Sequence, residues 1–329
     1  MTWDGLLVEV TGAVVIGIVH ARGAHGTIRV QNVITYGFIC IIGVVIALGF
    51  WHGHASNVLP LFPNPHWSPV LVGTFGIFAM SVFFMNGWQA ALHAIEERRT
   101  DTPVRSAVLW IVGGIAVATG FYIGIVLAAS SAVPWRTLVG QNLPAAAAFR
   151  ALGGAVLATI VVAAALISLV KTWIALVWMS SRLLLAQARD GLLPSSLGVV
   201  HAGSGTPRNA IAFTTALSIV GIIVGRSAVL PIVNMTSICL AMSIIVCLLA
   251  LVHLRRTVSK PASFSVPTTV IGCALVGGLA MIGAAVIVPL VYSRGGIPTE
   301  WKLIVIWGAL GLVAAHMVVR QSRPNGATP

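Results

Sequence analysis

Long apolar runs separated by short polar stretches repeat along the chain, and their spacing sets the elements. Such runs lie near Leu6 to Val19, Val33 to Phe50, Val70 to Ala94, Val108 to Ala129 and Leu152 to Met179. They continue near Ala210 to Val224, Ala228 to Leu254, Thr268 to Tyr292 and Trp301 to Val319. A helix needs about 20 mostly apolar residues to cross the hydrocarbon core of a bilayer. Lipid accepts only helices or closed barrels, and runs this long and unbroken do not alternate as barrel strands do. The pattern therefore predicts an all-α, polytopic transmembrane helical bundle with about nine crossings. The first run is the shortest, about 14 residues or roughly 21 Å of helix, and is expected to be the tail of a longer helix.

Composition agrees. Hydrophobic residues make up 58% of the 329 and charged residues 8%, too little polar surface to solvate a globule of this size. The formal net charge of +12 suggests nucleic acid at first sight, but the basic residues sit in short clusters between apolar runs. That pattern fits membrane orientation and excludes a polyanion groove. Alternate loops test the map. One set holds Arg22, Arg29, Arg98, Arg99, Arg105, Arg182, Arg189, Arg208, Arg255, Arg256, Lys260, Arg320 and Arg323. The other holds Arg136, Arg150, Arg226, Arg294 and Lys302. The richer set is expected in the cytoplasm together with the C-terminus, in a multi-pass protein of the cell (plasma) membrane. Trp51, Trp67, Trp135 and Trp301 fall near the expected external boundaries, where tryptophan anchors helices. Asp4 and Glu9 stand where a cleaved leader would carry basic residues, so the N-terminal run is expected to remain in the mature protein.

Two stretches carry a resemblance. The third run reads Gly73-Thr-Phe-Gly-Ile-Phe-Ala-Met-Ser-Val-Phe-Phe-Met-Asn-Gly-Trp-Gln89 and continues as His93-Ala-Ile-Glu-Glu-Arg-Arg-Thr-Asp-Thr-Pro103. It resembles the sixth helix of the amino acid/polyamine/organocation (APC) permeases. Ser181-Arg-Leu-Leu-Leu-Ala-Gln-Ala-Arg-Asp-Gly-Leu-Leu-Pro194, running on through His201 to Pro207, resembles the link between helices eight and nine of the same permeases. Laid on that family, the chain is similar to helices four to twelve. The resemblance implies a single transmembrane domain with an incomplete five-plus-five inverted-repeat fold. Residues 1–50 would then be the remainder of the first repeat, 70–254 the second repeat and 268–319 two C-terminal helices.

The same resemblance implies a secondary active transporter of amino acids, either proton-coupled or an exchanger, with its substrate near the bilayer midplane where helices break. Ser81 to Gly87 has the makings of such a break: glycine costs a helix interior about 1 kcal/mol relative to alanine, and Asn86 can satisfy freed backbone groups. By resemblance, Phe83 and Phe84 would gate the substrate, while backbone around Ser81, Val82 and Gly87 would contact its amine or carboxylate. The alternative is an aromatic packing stripe with a tolerated glycine. With no acidic residue in the middle of a span, a neutral amino acid is favoured over a polyamine.

Lys171 lies inside a span, where an ionisable side chain costs about 2.5 to 3.5 kcal/mol on the lenient insertion scale. Helix eight of the family lies beside the place where sodium-dependent relatives hold a cation, so two functional roles suit Lys171. It would stand in for that cation or relay a proton; a purely structural lysine is the alternative. Glu96, Glu97, Arg98, Arg99, Arg182, Arg189 and Asp190 crowd the expected cytoplasmic ends, as solvated ion-pair networks or as an inner gate.

The remaining chemistry is thin. His52, His54 and His66 share a loop at no recognised zinc spacing, and Cys40, Cys239, Cys247 and Cys273 lie in apolar runs as packing residues, so no metal is expected. No nucleotide loop, dinucleotide fingerprint or hydrolase elbow is present to call for a cofactor or support an enzyme. With seven acidic residues in all, a membrane-embedded enzyme is the weaker alternative, beside a truncated permease remnant that does not transport. The expected partners are a small-molecule substrate and the lipid bilayer, without nucleic acid; the oligomeric state is left open.

Overall fold

The computed structural model describes residues 3–61, 67–89, 103–257, 265–292 and 296–321. Among them the regular structure is helical, apart from one isolated bridge between His201 and Thr206. In chain order the long helices are α1 (Trp3–Arg22), α2 (Ala24–His52), α3 (Trp67–Phe84), α4 (Val104–Ala132) and α5 (Pro144–Arg189). They are followed by α6 (Arg208–Val224), α7 (Val229–Thr257), α8 (Thr268–Tyr292) and α9 (Thr299–Gln321). Among the described residues six helices are long and apolar enough to cross a membrane, and Val70–Phe84 and Arg208–Val224 are shorter apolar helices. The all-α polytopic bundle expected from the pattern is the fold.

The helices depart from the apolar runs where polar residues remain helix-compatible. α1 has 20 residues rather than 14, because Asp4 in its first turn suits the positive end of the helix dipole and Glu9 is a good helix former. The polar stretch expected to link the first two crossings is itself helical, and only Gly23, with φ 143°, separates α1 from α2. α5 starts earlier than its apolar run, with Pro144 in the first turn, where a missing N–H costs nothing. Gly153 and Gly154 leave helical geometry and divide α5 into two segments.

The chain divides into two compact units, Met1–Pro63 with Ala116–Ile223, and Asn64–Ile115 with Val224–Pro329. In the first, α2 and the C-terminal part of α4 pack on α5 around Val45, Ala128, Ala129, Phe149 and Val161. The approach is close: a Cβ added at Gly49 would lie 2.7 Å from that of Ala128, so no larger residue fits without displacement. Ile16 of α1, Val177 of α5 and Ile211 of α6 form a second cluster. At one end of this unit, Ser131 Oγ donates to the carbonyls of Gly49 and Ala128, while its own carbonyl accepts from His54 N and Asn57 Nδ2. At the other, Thr206 Oγ1 donates to Ala21 O at 3.2 Å, tying the loop before α6 to the end of α1.

In the second unit, α3 packs against α7 and α8, and α7 also packs against α9. Its core is built from Ile238 set among Ala79, Ala284 and Ala285, three small residues that let helices approach. Large apolar side chains point outward instead, Ile77 at 74% and Trp110 at 80% exposure among them. In water this arrangement would be inside out; in lipid it is the ordinary one.

Candidate functional site

The apolar run of α3 was expected to continue to Ala94, yet the helix stops at Phe84, followed by a turn over Met85 to Trp88. The last α-type bond runs from Met85 N to Ser81 O at 2.8 Å, and the next, from Asn86 N to Phe83 O at 3.0 Å, is already tightened. Gly87 then takes φ 135°, a region that side-chain-bearing residues rarely adopt, and its N–H donates to Gln89 Oε1 at 3.0 Å. The carbonyl of Val82 receives neither of the two turn bonds, so this one backbone oxygen is left as an acceptor at the negative end of the helix dipole.

The side chains of this turn sort by direction. Ser81 Oγ donates inward to Phe78 O at 2.7 Å, and Val82 is buried. Phe83 and Phe84 stand edge to face, their ring centroids 5.7 Å apart and their planes at 83°, with Phe84 half exposed. Asn86 Oδ1 is buried and has no hydrogen-bond partner among the described residues. A buried acceptor left in that state costs about 1–3 kcal/mol unless something completes it. The stretch thus offers the Val82 carbonyl, an amide oxygen without a partner among the described residues and an aromatic pair within seven residues.

Lys171 belongs to the other unit, on α5. Its Nζ lies 5.5 Å from the Phe38 ring centroid, over the electron-rich face, and Phe38 in turn packs on Phe121 with centroids 5.7 Å apart. Gln31 Nε2 donates to the Lys171 carbonyl at 3.3 Å, while Gln31 Oε1 is buried and unpartnered among the described residues. Sequence reasoning missed Gln31, because it lies in the stretch taken as a loop.

Of the residues considered for an inner gate, Glu96, Glu97, Arg98 and Arg99 lie outside the described residues. Arg182 stacks on Trp178 with its guanidinium carbon 3.9 Å from the ring centroid. Arg189 and Asp190 are exposed at the end of α5. There Gly191 takes φ 73°, and bonds from Leu192 N to Gln187 O and from Gly191 N to Ala188 O close the helix as a Schellman motif. His66 likewise lies outside the described residues, and His52 uses Nδ1 on Leu48 O at 3.3 Å. Also missed was His20 of α1, which is buried with Nδ1 2.8 Å from Ile16 O.

A family model described as amino acid permease matches residues 2–314. The methylthioribose transporter of Bacillus subtilis (strain 168) is 29% identical over 327 residues, covering 96% of this chain and 66% of the relative. The branched-chain amino acid permease BcaP of the same organism is 24% identical over 302 residues, 89% of this chain and 59% of the relative. The cationic amino acid transporter 9, chloroplastic, of Arabidopsis thaliana is 30% identical over 184 residues, 56% of this chain and 31% of the relative. The chain thus spans two thirds or less of each relative's own length. With nearly its whole length matched by the family model and its helices those of a membrane bundle, the chain belongs to the amino acid permease family.

Proposed function

We propose that the chain carries the substrate-binding break of a secondary amino acid transporter of the plasma membrane, with its C-terminus in the cytoplasm. The observation that carries this reading is the end of α3, where Asn86 Oδ1 has no partner among the described residues, the Val82 carbonyl is left over and Gly87 takes φ 135°. A zwitterion fits such a place: its ammonium meets Val82 O and Asn86 Oδ1, and Phe83 and Phe84 cover its side chain. Ser81 and Val82 shape this place by holding the last turn. No acidic residue lies between Ser81 and Gln89, which supports a neutral amino acid over a cationic one. The printed names of relatives range over methylthioribose, branched-chain and cationic amino acids, so the family alone leaves the choice to these residues.

Coupling falls to Lys171. An ammonium held over Phe38 occupies the place of an inorganic cation in this reading, so transport runs on protons or by exchange. Arg182, Arg189 and Asp190 are candidates for an inner gate, and Glu96, Glu97, Arg98 and Arg99 are candidates for the same role by sequence.

The test is uptake into proteoliposomes holding the purified chain, across radiolabelled leucine, serine, lysine and glutamate. Saturable uptake of a neutral member that Asn86→Leu abolishes is the expected result. Uptake of none of the four by protein that elutes as a single folded species would end the transport reading for this chain. Lysine uptake exceeding leucine would overturn the substrate class.

A further inference from the structure

In the unit that contains α3, a cavity of about 490 Å³ opens between α3, α7, α8 and the first turn of α9. Its volume is ordinary for a small-molecule site. The walls are mostly small and apolar, with Gly73, Gly76 and Ala79 on α3 opposite Val288 and Pro289 on α8. Into this apolar sleeve come three polar side chains: Asn234 and Ser237, one turn apart on α7, and Glu300 of α9.

Their bonding is incomplete. Asn234 Nδ2 donates to Glu300 Oε1 at 2.9 Å and fixes the carboxyl group, while Oε2 has no hydrogen bond among the described residues. Ser237 is 2% exposed, and its Oγ is buried without a partner among the described residues. Polar groups deep in a membrane protein are costly unless satisfied, and buried hydroxyls normally find a partner. A carboxylate, an amide and an unsatisfied hydroxyl around one cavity together describe what is missing.

We infer that this cavity is a ligand site for a primary ammonium group on a short apolar body. The three N–H donors of an ammonium match the acceptors present, Glu300 Oε2, Ser237 Oγ and Asn234 Oδ1. The charge complements Glu300, and the carbon chain lies along Gly73, Gly76 and Ala79. An anion is repelled by the same carboxylate. A bare divalent cation wants six or more oxygens, more than these three side chains supply. A free alkylamine and the headgroup of an aminophospholipid carry the same group. The inference does not rest on the transport reading, since its residues are distinct from Ser81 to Gly87.

The experiment titrates hexylamine into the full chain in phosphatidylcholine nanodiscs by calorimetry, with empty discs subtracted and hexanol as the uncharged control. Expected is saturable hexylamine binding weakened by about tenfold or more in Glu300→Gln, the loss of one charge-assisted contact. Hexanol affinity should be the same in both proteins. Discs containing phosphatidylethanolamine separate the sources: weaker apparent binding assigns the lipid headgroup, and unchanged binding assigns the free amine. Equal hexylamine affinity in the two proteins, or no saturable binding to the wild type, overturns the inference. Should Glu300→Gln fail to fold, Gly73→Leu, at a lining position where an added Cβ meets nothing within 4 Å, fills the cavity without touching the carboxylate. Loss of binding there supports the site, and retained binding overturns it.

Discussion

At the scale of single residues, Gly87 and Lys171 separate a transport site from packing most cleanly. Gly87 holds φ 135° in a turn where an added Cβ would meet no other atom within 4 Å, so the cost of a side chain there is backbone strain alone. That strain is about 1–3 kcal/mol. Gly87→Ala is expected to lower the thermal midpoint in detergent and abolish leucine uptake. Gly113→Ala, on helical α4 with equally open space, should leave uptake unchanged and hold or raise the midpoint. Loss of uptake in both variants would assign the effect to helix packing in general. For Lys171 the expected phenotype is a split: uptake by the wild type is equal in sodium and choline buffers and is stimulated by an inward proton gradient. Lys171→Gln removes the stimulation but spares exchange of internal for external substrate. Stimulation that survives the substitution assigns Lys171 to structure, where its stacking on Phe38 and the Gln31 bond to its carbonyl would be its whole role.

At the scale of elements, the Schellman closure of α5 explains why the stretch Ser181 to Pro194 reads as a signature. Gly191 takes φ 73°, so Gly191→Ala should destabilise the protein by roughly 1–2 kcal/mol, seen as a lower thermal midpoint, with the affinity for substrate kept. A fall in affinity as large as in Gly87→Ala would place this closure in the transport cycle as well. The helices themselves were legible because twenty apolar residues in a row have few alternatives in lipid. Their ends were less so. Hydropathy took Arg22 to Gln31 as a loop, although the helix stops only at Gly23, because polar residues at a membrane surface pay no penalty for remaining helical. The break at Gly153 and Gly154 gave no signal either, since isolated glycines are common in membrane helices. The candidate site followed the same division. The motif located Ser81 to Gly87, but the unpartnered oxygen of Asn86 is a property of packing. Asn234 and Glu300 are 66 residues apart, and nothing in their spacing announces that they meet.

For the whole molecule, charge asymmetry between alternate loops predicts the arrangement in the membrane. With the four native cysteines replaced, Leu192→Cys should react with a membrane-impermeant maleimide only when the cytoplasmic side is open, and Val139→Cys from the outside in sealed cells. Both positions are well exposed, 58% and 69%. The reverse labelling would invert the topology and move Arg189 and Asp190 away from any inner gate. One further feature bears on the lipid itself. α6 has 17 residues, about 25 Å of helix, with Arg208 opening it and Arg226 just past its end. The hydrocarbon layer is about 30 Å deep, so a helix of this length falls short of it by about 5 Å. Where α6 crosses, the acyl chains beside it must therefore shorten their span, and membranes of shorter-chain lipids will hold this flank with the least distortion.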